Sequence, residues 1–397
     1  MTSIVNIYMN KCYIVDTFNY NYSHEIFNAG LVTVCSKIFD EIKYISCKSS
    51  AECLRKVIVN EKVNNVKYEE IFVWKGKSKY SLLFRYMLSA VNNILFIFKC
   101  PKDVVVLFNQ NNAFSIMIVN ILNKLLNKKI VIICHGELEL LDDVVRHRIG
   151  FLGLLIKNLV CFFFLKNSIY SDKIKYVVLG DVILSNLKNI LAKTIVNNIY
   201  SIDHPYVFNN VKVKKIDNSK SINIGTIGEI GKNKNKEIIA FLGKSFKKEI
   251  SNKELSLSII GKVHGDKQEL IENNIEIFDK KLEREDFNKR IESYDFALFL
   301  YDKFNYRYTA SGAVFDAINL EKPILSLRND YFNYLFEKYG VFGILVDSIE
   351  GIEKEIRNIL NKNIMINYDF KGIKNNLSLD NISLQLKEIL IKNKLIN

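Results

Sequence analysis

Short apolar runs bounded by charge alternate along this chain with longer stretches whose apolar residues recur every three to four positions. Ile4 to Ile7 and Cys12 to Val15 read as a first strand or hairpin, Ile26 to Phe39 as a helix and Ile42 to Ile45 as a second strand. Ala51 to Val63 has helical spacing, Glu70 to Trp74 reads as a short strand and Tyr80 to Phe98 as a helix. Val104 to Phe108 is a β-branched buried strand, Ser115 to Leu126 a helix, and Lys129 to Cys134 (KIVIIC) a strand that exits at His135-Gly136. Lys175 to Leu179 adds another strand. Such alternation predicts a doubly wound parallel sheet. Sheets of that kind bind ligands beyond the carboxyl ends of their strands.

The alternation starts afresh at Ile222. Leu257 to Ile260, Ile275 to Phe278 and Phe296 to Leu300 read as strands, and Glu285-Asp286-Phe287 begins a helix. Ala313 to Leu320 is helical until Glu321-Lys322-Pro323 stops it, and Pro323-Ile324-Leu325 starts the next strand. Tyr331 to Tyr339 is a helix, Gly343 to Val346 a short strand and Asn381 to Lys392 a last helix. Asp203-His204-Pro205 and the charged stretch Val213 to Ser221 read as a linker. The expected division is therefore a domain over residues 1–205 and another over 206–380.

Length agrees with that division, because 397 residues exceed one ordinary core. With 49% hydrophobic and 25% charged residues the chain is globular, which excludes a disordered protein. Its formal charge of +13 fits an anionic partner, or follows from a bias toward Lys, Asn and Ile. Seven cysteines show no C-x-x-C pair and no zinc-like spacing, which suggests reduced thiols in a cytosol. Met1 to Asp16 lacks the basic head and cleavage site of a secretory signal. Ile149 to Leu165 and Tyr80 to Phe98 are apolar but carry Lys157-Asn158 and Arg85 with Asn92-Asn93. Both read as core helices or as helices lying on a bilayer surface.

Candidate chemistry gathers at strand ends. Ser311-Gly312 stands where a helix starts after the Phe296 to Leu300 strand. Free N–H groups and the helix dipole there suit an anion, although the same pair also serves as a plain cap. Asp316 lies four residues on, within reach of a sugar or ribose hydroxyl. The first turn of the second half, Gly225 to Asn235, holds Gly228, Lys232 and Lys234; its glycines admit an anion and its lysines can neutralise a diphosphate. His135 follows its strand directly, within HGELE. Glu137 and Glu139 are hydroxyl acceptors or general bases for an attacking alcohol, or cap the helix that follows. His24-Glu25, just after the first strand candidates, reads as a crevice-rim pair and suits an acceptor. No Asp-x-Asp metal clamp is visible, so no divalent ion is expected.

These motifs resemble the donor site of retaining glycosyltransferases of the GT-B fold, family 4 especially, most firmly over Ser221 to Ile349. Asp316-Ala317 matches the second acid of that family's paired-acid signature, and Lys322-Pro323-Ile324 its tail. The first acid, eight residues earlier, is replaced by Tyr308, so the sugar contact passes to Arg307, Tyr308 or Ser311. Lys234-Asn235 matches the family's diphosphate-binding base, whereas Glu229 replaces its usual arginine. The resemblance implies that His135 faces the donor sugar. It also implies two Rossmann-like domains facing a cleft, with a C-terminal helix (about 381–397) packing back on the first.

The expectation is a hexosyltransferase that needs no cofactor beyond its nucleotide-diphosphate-sugar donor. His135 and Glu137 are its catalytic candidates; Gly228, Lys234, Ser311, Gly312, Asp316 and Tyr308 its donor residues; His24 and Glu25 its acceptor residues. By analogy the acceptor is a bacterial surface glycan, as in O-antigen or capsule synthesis, on an undecaprenyl-type lipid carrier. The protein would then be cytoplasmic or peripheral on the inner membrane face and would bind no nucleic acid. A nucleotide-sugar epimerase of the same architecture and a non-catalytic basic binding protein are the alternatives.

Overall fold

The computed structural model describes residues 9–61, 63–76, 78–142, 150–166, 169–209, 221–231, 235–280, 282–301, 303–362 and 367–397, with the side chain of residue 60 excepted. The strand expected at Ile4 to Ile7 lies outside them, as do Lys232 and Lys234. The chain divides into a first unit, Met1–Val207 with Tyr308–Ala310 and Leu377–Asn397, and a second unit, Phe208–Arg307 with Ser311–Asn376.

The first unit is built on strands β1 (Lys11–Val15), β2 (Glu41–Ser46), β3 (Val66–Glu70), β4 (Val105–Phe108), β5 (Lys129–Ile133), β6 (Ile174–Leu179) and β7 (Ile199–Ile202). They form one sheet in the order β3-β2-β1-β4-β5-β6-β7, and every pairing is parallel. Its central strands are Val/Ile-rich and buried on both faces, as helix-covered parallel strands must be. Strand order reverses between β1 and β4, which opens a crevice at their carboxyl ends. One core joins helix Glu25–Ser36 to the sheet through Leu31, Val32 and Val34. Helix Leu379–Lys392 adds Ile382, Leu386 and Leu390 to the same core and packs on helix Glu25–Ser36. Ser378 caps that last helix by accepting from the Asn381 N–H.

Two expectations need correction here, and one strand was missed. The strand placed at Glu70 to Trp74 is β3, Val66–Glu70, whose register runs from Ile42 opposite Val66 to Ser46 opposite Glu70. Phe72 and Trp74 have strand propensity but fall past the end of the partner strand. Strand β7 was not expected, because half of its four residues are only partly buried and carry little pattern. The stretch Asp203-His204-Pro205, read as linker, is buried in the first unit. A Cβ at Gly30 would stand 2.8 Å from the Pro205 carbonyl carbon, so the helix approaches this stretch as closely as glycine permits.

The second unit repeats the plan with β8 (Ile222–Ile227), β9 (Leu255–Ile260), β10 (Glu276–Phe278), β11 (Phe296–Phe299), β12 (Ile324–Leu327) and β13 (Gly343–Val346). Their order is β10-β9-β8-β11-β12-β13, again parallel, with the reversal between β8 and β11. Its own core centres on Ile224, Leu257, Ile259, Phe296 and Leu298. Gly225 in β8 lets the Tyr294 ring pass where a Cβ would stand 2.0 Å from it.

Candidate functional site

The carboxyl edge of the first sheet collects polar side chains that no core requires. At the end of β1, Asp16 is fully buried, and its Oδ1 accepts from the Asn19 N–H at 2.9 Å. Its Oδ2 accepts from Asn28 Nδ2 at 3.0 Å. Asn109, just past β4, donates its Nδ2 to Asn28 Oδ1 at 2.9 Å. Its carbonyl lies 2.9 Å from Nε2 of His135, just past β5. A carbonyl can only accept, so Nε2 carries the proton of the neutral ring and Nδ1 holds the lone pair.

Two histidines meet one phenyl ring, and a third stands beside one of them. Phe27 lies edge-on to His135 at 4.5 Å and to His204 at 5.4 Å between ring centroids, and His24 stands 5.5 Å from His135. Burial, with His24 nearby, lowers His135 and His204 each to about 3, so both rings are neutral at pH 7. His24 is exposed and adopts a left-handed backbone (φ 56°) before helix Glu25–Ser36, where Glu25 is the first helical residue.

Glu137 closes the group. Its Oε2 accepts from the His135 N–H at 2.9 Å. Its Oε1 is shielded from solvent without a geometrically sound hydrogen bond. Burial pushes the carboxyl up to about 7, against hydrogen bonding that favours the anion. A carboxyl poised at neutral pH can take or give a proton there. The neighbouring Glu139 accepts instead from the Tyr308 N–H at 3.2 Å.

The second unit presents its own carboxyl edge. Gly228 after β8 has φ 95°, Gly261 after β9 has φ 139°, and a Cβ on Gly261 would stand 2.2 Å from the Gly228 carbonyl oxygen. The two loops are thereby pressed together, which leaves Gly228 backbone at the mouth of the reversal. Asn235, also left-handed, ties the loop to the end of β11 through Nδ2 to the Leu300 carbonyl at 2.7 Å. After β11, Ser311 is the N-cap of helix Gly312–Asn319, and its side chain makes no capping bond. A Cβ on Gly312 would meet nothing within 4 Å, so the first turn opens on free space. The first N–H groups of any helix lack intrahelical acceptors, and here they join the positive dipole end.

One turn on, Asp316 Oδ1 accepts from Arg284 Nη2 at 2.6 Å, with side chains 13% and 23% exposed. Arg284 opens the helix Arg284–Glu292 and was not singled out in the sequence. Neither were Asp16, Asn28, Asn109 and His204. Asp16 did carry a signal, standing directly after the apolar CYIV run.

The structure thus brings His24, Glu25, His135 and Glu137 to one edge of the first sheet. It brings Gly228, Ser311, Gly312 and Asp316 to one edge of the second. Tyr308 is buried and clusters with the first unit. Lys234 lies outside the described residues. Among the described residues no three His, Cys, Asp or Glu side chains form a group able to hold a metal ion.

No protein-family profile and no curated protein matches this sequence. Solved structures do match over nearly the whole length. The chain is similar to the lipopolysaccharide outer core galactosyltransferase WaaB at 12% identity and TM-score 0.59, with 97% of this chain and 99% of that chain covered. It is similar to the catalytic domain of starch synthase IV from Arabidopsis thaliana bound to ADP and acarbose, at 9% identity and TM-score 0.60, covering 97% and 99%. A mutant of S. aureus TarM in complex with UDP matches at 10% identity and TM-score 0.57, covering 96% and 99%. Likeness at such identity speaks for architecture, and with two parallel-sheet α/β units matched end to end, this chain has the GT-B fold.

Proposed function

We propose that this protein is a glycosyltransferase that moves a sugar from a nucleotide-diphosphate donor to a hydroxyl. The observation that carries the reading is the carboxyl edge of the second sheet. There a close Gly228–Gly261 pair, an open helix start at Ser311-Gly312 and an acid one turn in, Asp316, stand at the strand-order reversal. Helix N–H groups and Lys234 meet the charge that builds on the departing diphosphate, in place of a metal. Asp316 takes a ribose hydroxyl and shares its carboxylate with Arg284. In the first unit Glu137 receives the acceptor's proton, and neutral His135 offers Nδ1 to a sugar hydroxyl. His24 and Glu25 contact the acceptor, and the Tyr308 region stands in for the missing first acid. Retention of configuration, a lipid-linked surface-glycan acceptor and peripheral residence at the inner membrane face extend the reading by family analogy.

The test is a binding and hydrolysis screen across uridine, guanosine and thymidine sugar nucleotides, with and without a chelator. Hydrolysis of one donor, unchanged by chelation, is expected. No binding of any donor would remove the proposal, and an epimerised free sugar nucleotide formed without acceptor would replace it with the epimerase reading. Asp316→Asn locates the site within the second unit. Loss of a charge-assisted hydrogen bond should weaken the bare nucleoside diphosphate by about 1.5–3 kcal/mol in calorimetric titration. An unchanged affinity would reduce the Asp316–Arg284 pair to a structural role.

A further inference from the structure

Helix Lys79–Lys99 is folded with its polarity reversed. Its buried side chains include Ser89 and Asn93, which a surface helix ordinarily turns to water. Ser89 Oγ lies 2.7 Å from Thr17 Oγ1 and accepts from Asn112 Nδ2 at 3.1 Å. Asn93 Oδ1 accepts from Thr17 Oγ1 at 2.8 Å. Its outward positions include Phe84, Met87, Val91, Leu95 and Phe98, each between 48% and 53% exposed. Their spacing of three and four makes one unbroken apolar stripe.

The stripe is extended on both sides. Helix Ile116–Leu126 packs beside it and exposes Ile118, Ile121 and Leu125, the last by 82%. At the amino end, the one tryptophan of the chain, Trp74, is 40% exposed with its ring 5.0 Å from Phe84, and its Nε1 donates to Ser81 Oγ. A patch of this kind exceeds the scattered apolar residues of ordinary surfaces and marks an interaction site.

Charge on these two helices is all of one sign. Lys79, Arg85, Lys99 and Lys124 are their only charged residues, with no Asp or Glu, and the three lysines are exposed. Arg85 is turned inward over the Phe18 ring at 4.5 Å. Apolar and aromatic side chains edged by lysine match the boundary layer of an anionic membrane, where tryptophan and tyrosine also settle. By length and composition the helix Lys79–Lys99 could cross a bilayer. Its Ser89–Asn93 face is hydrogen-bonded into the first unit, so it lies along a surface rather than through one.

We propose that the stripe of helix Lys79–Lys99, with Trp74 and the outer face of Ile116–Leu126, seats the first unit on an anionic lipid bilayer. This gives a physical site to the membrane residence in the transferase reading, on which its purpose rests, and it is tested by binding alone. The full chain is sedimented with vesicles of phosphatidylcholine, with and without phosphatidylglycerol. Binding to the anionic vesicles is expected. Met87→Glu/Leu95→Glu, at exposed positions where no core is disturbed, should weaken it by about tenfold or more at an unchanged melting temperature. Lys79→Gln/Lys99→Gln/Lys124→Gln should remove the preference for anionic lipid.

Absence of vesicle binding by the parent chain, or equal binding by the Met87→Glu/Leu95→Glu variant, overturns the proposal. So does a solution dimer that this variant dissolves into monomers, since the occupant would then be a second copy. Sugar-nucleotide binding measured on the same samples separates the two readings. Vesicle binding without nucleotide binding upholds the membrane face and removes the transferase; the converse removes the membrane face alone.

Discussion

At the scale of single residues the proposed proton transfer rests on Glu137, whose carboxyl is raised by burial. Raised to about 7, it is half ionised at neutral pH, and its base form grows as pH rises. Turnover limited by such a base should climb through pH 7 and level off above it. Glu137→Gln should lower turnover by about 10²–10⁴-fold and abolish that limb. A pH–rate profile of the variant that keeps the limb would assign it to another group. The buried histidines act on stability instead. Folded at about 3 against about 6.5 unfolded, His135 and His204 contribute stability that is present above pH 6.5 and lost as pH falls toward 3. Glu137 has the opposite sign, since its raised value favours the fold below about 4.5 and is lost as pH rises through 7. Between pH 6.5 and 4.5 the two histidines therefore outweigh it by one proton, about 1.4 kcal/mol per pH unit. His204→Gln should flatten that slope in urea unfolding at pH 7 and pH 5.5. His135 was legible in the sequence because it stands directly past an apolar strand, and Ser311-Gly312 because the pair precedes the apolar helical run that begins at Ala313. Arg284 was not, since its partner Asp316 lies 32 residues away and only the fold brings them together.

At the scale of elements, strands buried on both faces announce themselves and edge strands do not. Val105–Phe108 and Lys129–Ile133 are continuous apolar runs and were expected almost to the residue. Ile199–Ile202 is a four-residue edge strand held by its neighbour, and no local pattern could mark it. The Gly228–Gly261 contact was half legible, because both glycines follow strands while their meeting depends on the β8–β9 pairing. Gly261→Ala tests that contact. The new methyl must displace the Gly228 carbonyl and also adopt φ 139°, so it should cost about 2 kcal/mol or more by urea unfolding. A neutral effect would show that the loops part easily.

For the whole molecule the decisive fact is that the first unit borrows its last core helix from far along the chain. Leu379, Ile382, Leu386, Leu390, Leu395 and Ile396 are each buried in that core. At about 1.5–3 kcal/mol per buried aliphatic side chain, they contribute roughly 10 kcal/mol or more, which equals the stability of an ordinary domain. A chain truncated after Asn376 should leave the first unit unfolded while the second, with its separate core, still melts cooperatively in calorimetry. Two intact transitions in the truncated chain would contradict this. The arrangement also sets an order of events during synthesis. Residue 379 follows Val207 by about 170 positions, so at roughly 5–20 residues per second the first unit waits some 10–30 s, its sheet built and one face uncovered, while the second unit is made. The half made first is the half finished last, and for that interval its apolar face is a substrate for chaperones.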